Sequence, residues 1–128
     1  MELKKAIIKR KSVRDFSDKI VPKEVMDELI KYAMMIPSAG DLRPLTLEAQ
    51  HNCLIIYADF SKTMVKYGTR GIQYVFQESG HMAQNILLIA TEMGLCSYPV
   101  GAFQESQLTK LNLTPIYIIM VGYPKEKK

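Results

Sequence analysis

Four polar donors crowd into five positions near the start of the chain: Arg10, Lys11, Ser12 and Arg14, in the run RKSVR. Two guanidiniums, an ammonium and a hydroxyl are the inventory needed to hold a phosphate carrying close to two negative charges; an exposed basic turn is the plainer reading. Lys125, Lys127 and Lys128 add cations at the other end. Like charge at both ends fits a phosphate bound between them, and equally fits two solvated termini. A second group is Lys66 with Tyr67, just before Gly68. A lysine or tyrosine with a lowered pKa can take a proton while hydride leaves a substrate. The alternative leaves Lys66 in solvent and packs Tyr67 as an ordinary ring. Third, Ser38, Ala39 and Gly40 follow Pro37. Small residues there let a planar ligand or another chain come close, or simply make a connector.

These groups need elements to position them. Ile72, Val75, Phe76, Ser79, Met82, Ala83, Ile86, Leu87, Ala90 and Met93 recur at helical spacing, and Leu88 and Ile89 widen the apolar face almost all the way round. The pattern predicts a long helix at the centre of the fold, ended at Gly94 with Leu95 as the following apolar contact. Gly80 inside that run suggests a close approach by a backbone or a ligand. Leu3, Ala6 and Ile7, with Arg10 as a candidate fourth member, mark one face of a first helix. Pro22 opens a second through Val25, Met26, Leu29, Ile30, Ala33 and Met34, stopped by Pro37. Cys53–Tyr57 and Ile116–Val121 read as buried strands and Leu95–Val100 as a third, with a short helix from Gln104 or Ser106 through Leu108 and Leu111. A small sheet packed on a central helix gives the α+β class.

Composition narrows the function classes. The chain has 128 residues, 48% hydrophobic and 23% charged, which suits one globular domain over 1–128 and not a disordered segment. Its charged, amphipathic start and short apolar stretches predict no signal peptide and no membrane span, hence a cytoplasmic protein. Cys53 and Cys96 lack CxxC spacing and His51 and His81 stand apart, so no metal site is expected; buried reduced thiols and a packed His81 are. The basic balance raises a nucleic-acid-binding module as a rival, but no aromatic ladder or recognition motif accompanies it.

The stretch KYGxRGxxYxxxExGHxAQNxxLxAxxxGL, then GAF, covers Lys66, Tyr67, Gly68, Arg70, Gly71, Tyr74, Glu78, Gly80, His81, Ala83, Gln84, Asn85, Leu88, Ala90, Gly94, Leu95, Gly101, Ala102 and Phe103. It resembles the SagB-type dehydrogenase branch of the nitroreductase-like flavoproteins. RKSVRDF (Arg10 to Phe16) and PSAGDLRP (Pro37 to Pro44) resemble two further motifs of that superfamily, in the expected order. The resemblance implies a nitroreductase-like fold and an FMN-dependent oxidoreductase. It would pass hydride or electrons through flavin N5 between a donor such as NAD(P)H and a small organic acceptor. A homodimer with the flavin at its interface is implied as well.

Residue by residue, the resemblance assigns the FMN phosphate and ribityl chain to the run holding Arg10, Lys11 and Ser12, and the pyrimidine edge of the ring to Arg14. Pro99, Val100, Gly101 and Ala102 would pass the N5 and O4 edge. Lys125 or Lys127 would return to the phosphate. Pro37, Ser38, Ala39, Gly40 and Asp41 would approach the ring from the second subunit. Lys66 and Tyr67 fall on the lysine-tyrosine pair that azoline-oxidising relatives use near their substrate. Asp41 stands where the superfamily usually has asparagine and Arg43 where it usually has glutamine. The segment from Pro44 to Lys66 is short, and no peptide-recognition domain is attached, so the implied flavin is more open and accepts varied small molecules. Lacking GxGxxG, the chain would stack nicotinamide on the flavin itself. A non-catalytic flavin-binding or storage protein is the alternative that the short chain and altered loop favour.

Overall fold

The computed structural model describes residues 1–108, 110 and 112–125. In chain order these form α1 (Leu3–Lys9), α2 (Lys23–Ala33), a 3-10 turn at Ala39–Asp41, β1 (Leu45–Gln50), β2 (Cys53–Ala58), α3 (Phe60–Tyr67), α4 (Arg70–Glu92), β3 (Cys96–Val100), a second 3-10 turn at Glu105–Gln107 and β4 (Thr114–Gly122). The four strands make one antiparallel sheet in the order β1-β2-β4-β3.

Period-2 alternation decides which side of the sheet is core. Leu54, Ile56 and Ala58 of β2 and Ile119 and Val121 of β4 face the helices, meeting Val75, Met82, Ile86 and Ala90 of α4 and Leu29 and Ala33 of α2. α4 ends as the glycine predicts: Gly94 sits at φ 78, its N–H donates to the Thr91 carbonyl (3.1 Å), and the Leu95 N–H reaches the Ala90 carbonyl (2.8 Å). This paired closure satisfies carbonyls that the helix end would otherwise leave open, and Leu95 buries itself beneath it. α3 is capped by Asp59, whose carboxylate accepts from the Ser61 N–H at 3.1 Å.

The segment between Pro44 and Lys66 is economical. Gln50 pairs with Cys53 across a two-residue turn at His51 and Asn52, with Asn52 in the left-handed region at φ 51, a conformation asparagine tolerates. The Asn52 side chain also accepts from the Val21 N–H (2.9 Å), tying the hairpin to the entry of α2.

Several expectations need correction. α4 is not enclosed all round: Ile72 is 38% and Phe76 50% exposed, and Gly80, His81 and Gln84 are exposed as well. One helix can meet a sheet and three flanking helices without enclosing its whole circumference, and His81 is a surface residue. Beyond the helix's own neighbouring backbone, no described residue comes within 4 Å of where a Gly80 Cβ would stand, so the close approach expected there is not made among the described residues. Of the face proposed for α1, only Ala6 is buried; Leu3 and Ile7 are 66% and 50% exposed. The helix expected after Gln104 is a single 3-10 turn, and Leu111 lies outside the described residues. β1 and α3 were not legible in the sequence, since LTLEAQ is half polar and Thr63 is the one fully buried residue of α3.

Candidate functional site

α1 stops at Arg10, where ψ turns to 129° and the chain becomes extended. Extended backbone exposes donors and acceptors that must pair. Ser12 bridges Ser97 in parallel, with the Val13 N–H donating to the Ser97 carbonyl (3.1 Å). Phe16 bridges Pro124, and the Ser17 N–H donates to the Tyr123 carbonyl (2.9 Å). The basic run is thereby strapped across the start of β3 and the end of β4, which the Cys96–Gly122 pairing places side by side. Lys125 joins it through an ion pair with Asp15 (2.9 Å). The Arg14 guanidinium stands 5.5 Å from the centroid of the Tyr98 ring, within cation–π range. Lys125 therefore joins the N-terminal basic run at one end of the sheet. Arg10 is half-buried, and Lys11, Ser12 and Arg14 are exposed. Lys127 lies outside the described residues.

From this basic end β3 runs to its other terminus. Pro99 and Val100 are half-buried; Gly101 and Ala102 are exposed, and a Cβ on Gly101 would meet nothing within 4 Å. Gly101 and Phe103 border an apolar cavity of about 490 Å³ walled by Phe60, Met64, Phe76 and Ile116. Sequence reading missed Phe60 and Met64 because it gave no element to that stretch.

The small-residue loop lies against Lys66 and Tyr67. A Cβ on Gly40 would come 3.0 Å from the Tyr67 hydroxyl oxygen and 3.3 Å from Lys66 Nζ, and Gly40 sits at φ 59. The φ favours glycine at position 40, and a Cβ there would press on the ends of the Tyr67 and Lys66 side chains. The Tyr67 ring meets Tyr74 edge-on, centroids 5.1 Å apart. Asp41 and Arg43 have positive φ as well, at 55° and 50°. Non-glycine residues in that region cost of order 1 kcal/mol each and persist only where surroundings hold them. Here the holding groups are visible. Arg43 Nε donates to Asp41 Oδ1 (2.7 Å), its Nη1 donates to the Ile36 carbonyl, and the Arg43 N–H donates to Ser38 Oγ (3.1 Å). The two departures from the superfamily pattern therefore pair with each other.

Two α4 side chains complete the support, and sequence reading gave neither a role. Glu78, 5% exposed, accepts through Oε2 from the Ala39 N–H at 3.2 Å. Asn85 Nδ2 donates to the carbonyls of Tyr32 (3.1 Å) and Met35 (3.2 Å), where α2 gives way to the loop. A carboxylate and an amide at i and i+7 on a largely apolar helix face were the available signal.

Burial raises the thiol pKa of both Cys53 and Cys96, with Lys11 partly opposing it at Cys96, so both are poor nucleophiles. Among the described residues no group of three or more His, Cys, Asp or Glu could hold a metal ion, and no helix is long and apolar enough to cross a membrane.

Comparison with known proteins agrees with this architecture. The family described as "Putative TM nitroreductase" matches residues 2–128. The chain is 33% identical over 101 residues to "Putative nitroreductase MJ1384" of Methanocaldococcus jannaschii, covering 77% of this chain and 50% of that protein. It thus spans half the length of that curated relative. It is 25% identical to a "Putative NADH dehydrogenase/NAD(P)H nitroreductase" of Archaeoglobus fulgidus, over 99% of this chain and 88% of that one. Among solved structures, the nitroreductase family protein from Streptococcus pneumoniae superimposes with a TM-score of 0.86 at 17% identity, covering 99% of this chain and 92% of the other, a likeness of fold. A match running almost end to end, on a helix-and-antiparallel-sheet frame shared with solved nitroreductases, makes this chain a member of the nitroreductase family.

Proposed function

We propose that residues 1–128 form a single FMN-dependent oxidoreductase domain, nearest the SagB-type dehydrogenases, that acts in the cytoplasm as a homodimer. The observation that carries this reading is the convergence of Arg10, Lys11, Ser12, Arg14 and Lys125 from both chain ends on the start of β3, with open Gly101 at its far end. Ser97 to Gly101 spans about 13 Å at about 3.3 Å per residue, a separation suited to a phosphate at one end and a ring at the other. The donor set suits the cofactor: Arg10, Lys11, Ser12 and Lys125 would hold the phosphate, Arg14 the pyrimidine edge, and Pro99, Val100, Gly101 and Ala102 the opposite edge. FMN, when bound, supplies a centre that accepts and returns hydride at N5.

The rest of the chemistry falls to the chain. Lys66 and Tyr67 hold or take a proton at Nζ and the phenol oxygen, beside the loop of Pro37, Ser38, Ala39, Gly40 and Asp41. The open stripe of α4, with Gly80 at its middle, is the surface a second copy would cover, bringing that loop to the partner's cofactor. NAD(P)H and small organic acceptors are the proposed substrates, with neither nucleic acid nor membrane involved. The storage reading retains one specific support, the Asp41–Arg43 pair in the loop.

The test is the visible spectrum of the purified protein before and after loading with FMN, with chromatographic identification of whatever denaturation releases. Bound FMN followed by steady NADH- or NADPH-driven reduction of a quinone or nitroarene supports the enzyme. Bound FMN without turnover supports storage, and no binding after loading refutes both.

A further inference from the structure

We infer that Glu78 is a positioning residue: its buried carboxylate fixes the Ala39–Gly40 backbone against Lys66 and Tyr67 and so sets where those two side chains meet a substrate. The inference rests on the proposed role of Lys66 and Tyr67, and adds a residue to which that role assigns nothing.

A carboxylate on the core side of a long helix is costly unless its oxygens are used. Val75 and Met82, also buried, lie one turn either side of Glu78. An alanine or leucine there would extend the apolar face without that cost. What the carboxylate gains is the Ala39 N–H, 39 positions away in sequence. A backbone N–H left without an acceptor away from water is costly, so the acceptor oxygen holds the turn to α4. Ala39 is the first residue of the 3-10 turn, and next to it Gly40 enters the left-handed region under the Tyr67 hydroxyl and Lys66 Nζ. Fixing residue 39 therefore fixes the height of the backbone on which those two groups rest.

The remaining supports do not replace it. Arg43, Asp41 and Ser38 tie the loop to itself and to Ile36, and Asn85 ties the end of α2 to α4. The Glu78 carboxylate is the side-chain acceptor on α4 that reaches the turn itself. A loop carrying three positive-φ residues at 40, 41 and 43 relaxes readily once such an anchor is lost.

The experiment compares wild type, Glu78→Ala and Glu78→Gln, the last keeping an acceptor oxygen of the same shape. Amide hydrogen exchange of the 36–44 segment needs neither cofactor nor activity. Protection of that segment is expected to fall about tenfold or more in Glu78→Ala and to stay near wild type in Glu78→Gln. With FMN loaded, kcat should fall about tenfold in Glu78→Ala, and Glu78→Gln should restore turnover. Unchanged protection in Glu78→Ala overturns the anchoring role, whatever the cofactor result. Lost protection with unchanged kcat in an FMN-loaded, active enzyme overturns its link to Lys66 and Tyr67. If wild type binds no FMN, the oxidoreductase reading fails by itself and the exchange result still decides the anchor. Equal losses in Glu78→Gln and Glu78→Ala also overturn the inference, because the acceptor oxygen would then not be what matters.

Discussion

Replacing Gly122 by alanine should loosen the basic strap that packs against it. An ideal Cβ at position 122 would lie 2.6 Å from Cγ and Cδ2 of Phe16 and 3.0 Å from its Cβ. Carbon atoms rest at about 3.5–4.0 Å, so Phe16 must retreat by about 1 Å. Its own Cβ is among the crowded atoms, so turning the ring is not enough and the backbone of the strap must move. Displacement weakens the Phe16–Tyr98 ring contact (centroids 5.7 Å apart), the packing of a half-buried phenyl, and the Ser17 N–H bond to the Tyr123 carbonyl. Apolar loss of about 1 kcal/mol and a hydrogen bond of about 1 kcal/mol make the expected cost about 2 kcal/mol. With unfolding entropy of about 2.1 cal/mol/K per residue over 128 residues, that lowers the melting temperature by about 7 °C. Calorimetry on wild type, Gly122→Ala, Phe16→Ala and the double variant tests the cause as well as the size. Once the ring is gone the alanine has nothing to strike, so Gly122→Ala should cost little in the Phe16→Ala background. Additive costs, or a wild-type melting temperature for Gly122→Ala, would refute the reasoning. FMN affinity should drop alongside stability, because Arg10, Ser12 and Arg14 ride on the displaced backbone.

Other perturbations separate the parts of the site. Gly40→Ala meets both the left-handed φ and the Tyr67 hydroxyl; it should cost about 1 kcal/mol by thermal melts and reduce turnover about tenfold. Retained turnover would separate the loop from Lys66 and Tyr67. Arg14→Ala removes positive charge from the proposed pyrimidine edge and should lower the flavin reduction potential in spectroelectrochemical titration. An unchanged potential with cofactor bound would displace Arg14 from that edge. Glu48 and Lys110 form an ion pair over Tyr57, and the hydrogen bond from Lys110 is the main cause holding the Glu48 carboxyl below its usual range and the Lys110 ammonium above its own. A depressed carboxylate stabilises above its unfolded pKa of about 4.3 and loses that as pH falls through its folded value; the raised lysine stabilises below about 10.4 and loses that as pH rises through its own. The melting-temperature gap between wild type and Glu48→Gln should therefore hold near neutrality and close on acidification. A gap that widens in acid would contradict the pair.

What could be read from the chain depended on how local the physical cause was. α4 and its end were legible because helical periodicity and Gly94 act within a few residues. The buried strands β2 and β4 were legible because continuous apolar runs leave a short segment little alternative. β1 was not, since its half-polar LTLEAQ becomes a strand by pairing with β2 across the His51–Asn52 turn. α3 was not, because its cap at Asp59 and its crossing with α4 matter more than its own pattern. Burial of α4 was overestimated for a similar reason: apolar residues at Ile72 and Phe76 show that a surface is sticky, and only the placement of neighbours shows whether this chain covers it.

The residue types at the site, RKSVR, the Ser-Ala-Gly loop, Lys66 with Tyr67, and Gly101, were all determined by the sequence, because charge, size and conformational freedom belong to the residues themselves. Their grouping was decided only in three dimensions. Strand register carries Ser12 to Ser97 and Lys125 to Asp15, joining the two ends of the chain. The packing of α4 brings Glu78 to Ala39 and Gly40 under Tyr67. Those contacts span tens of residues, and hydrogen bonds and steric fit act on distance in space, which sequence separation does not record.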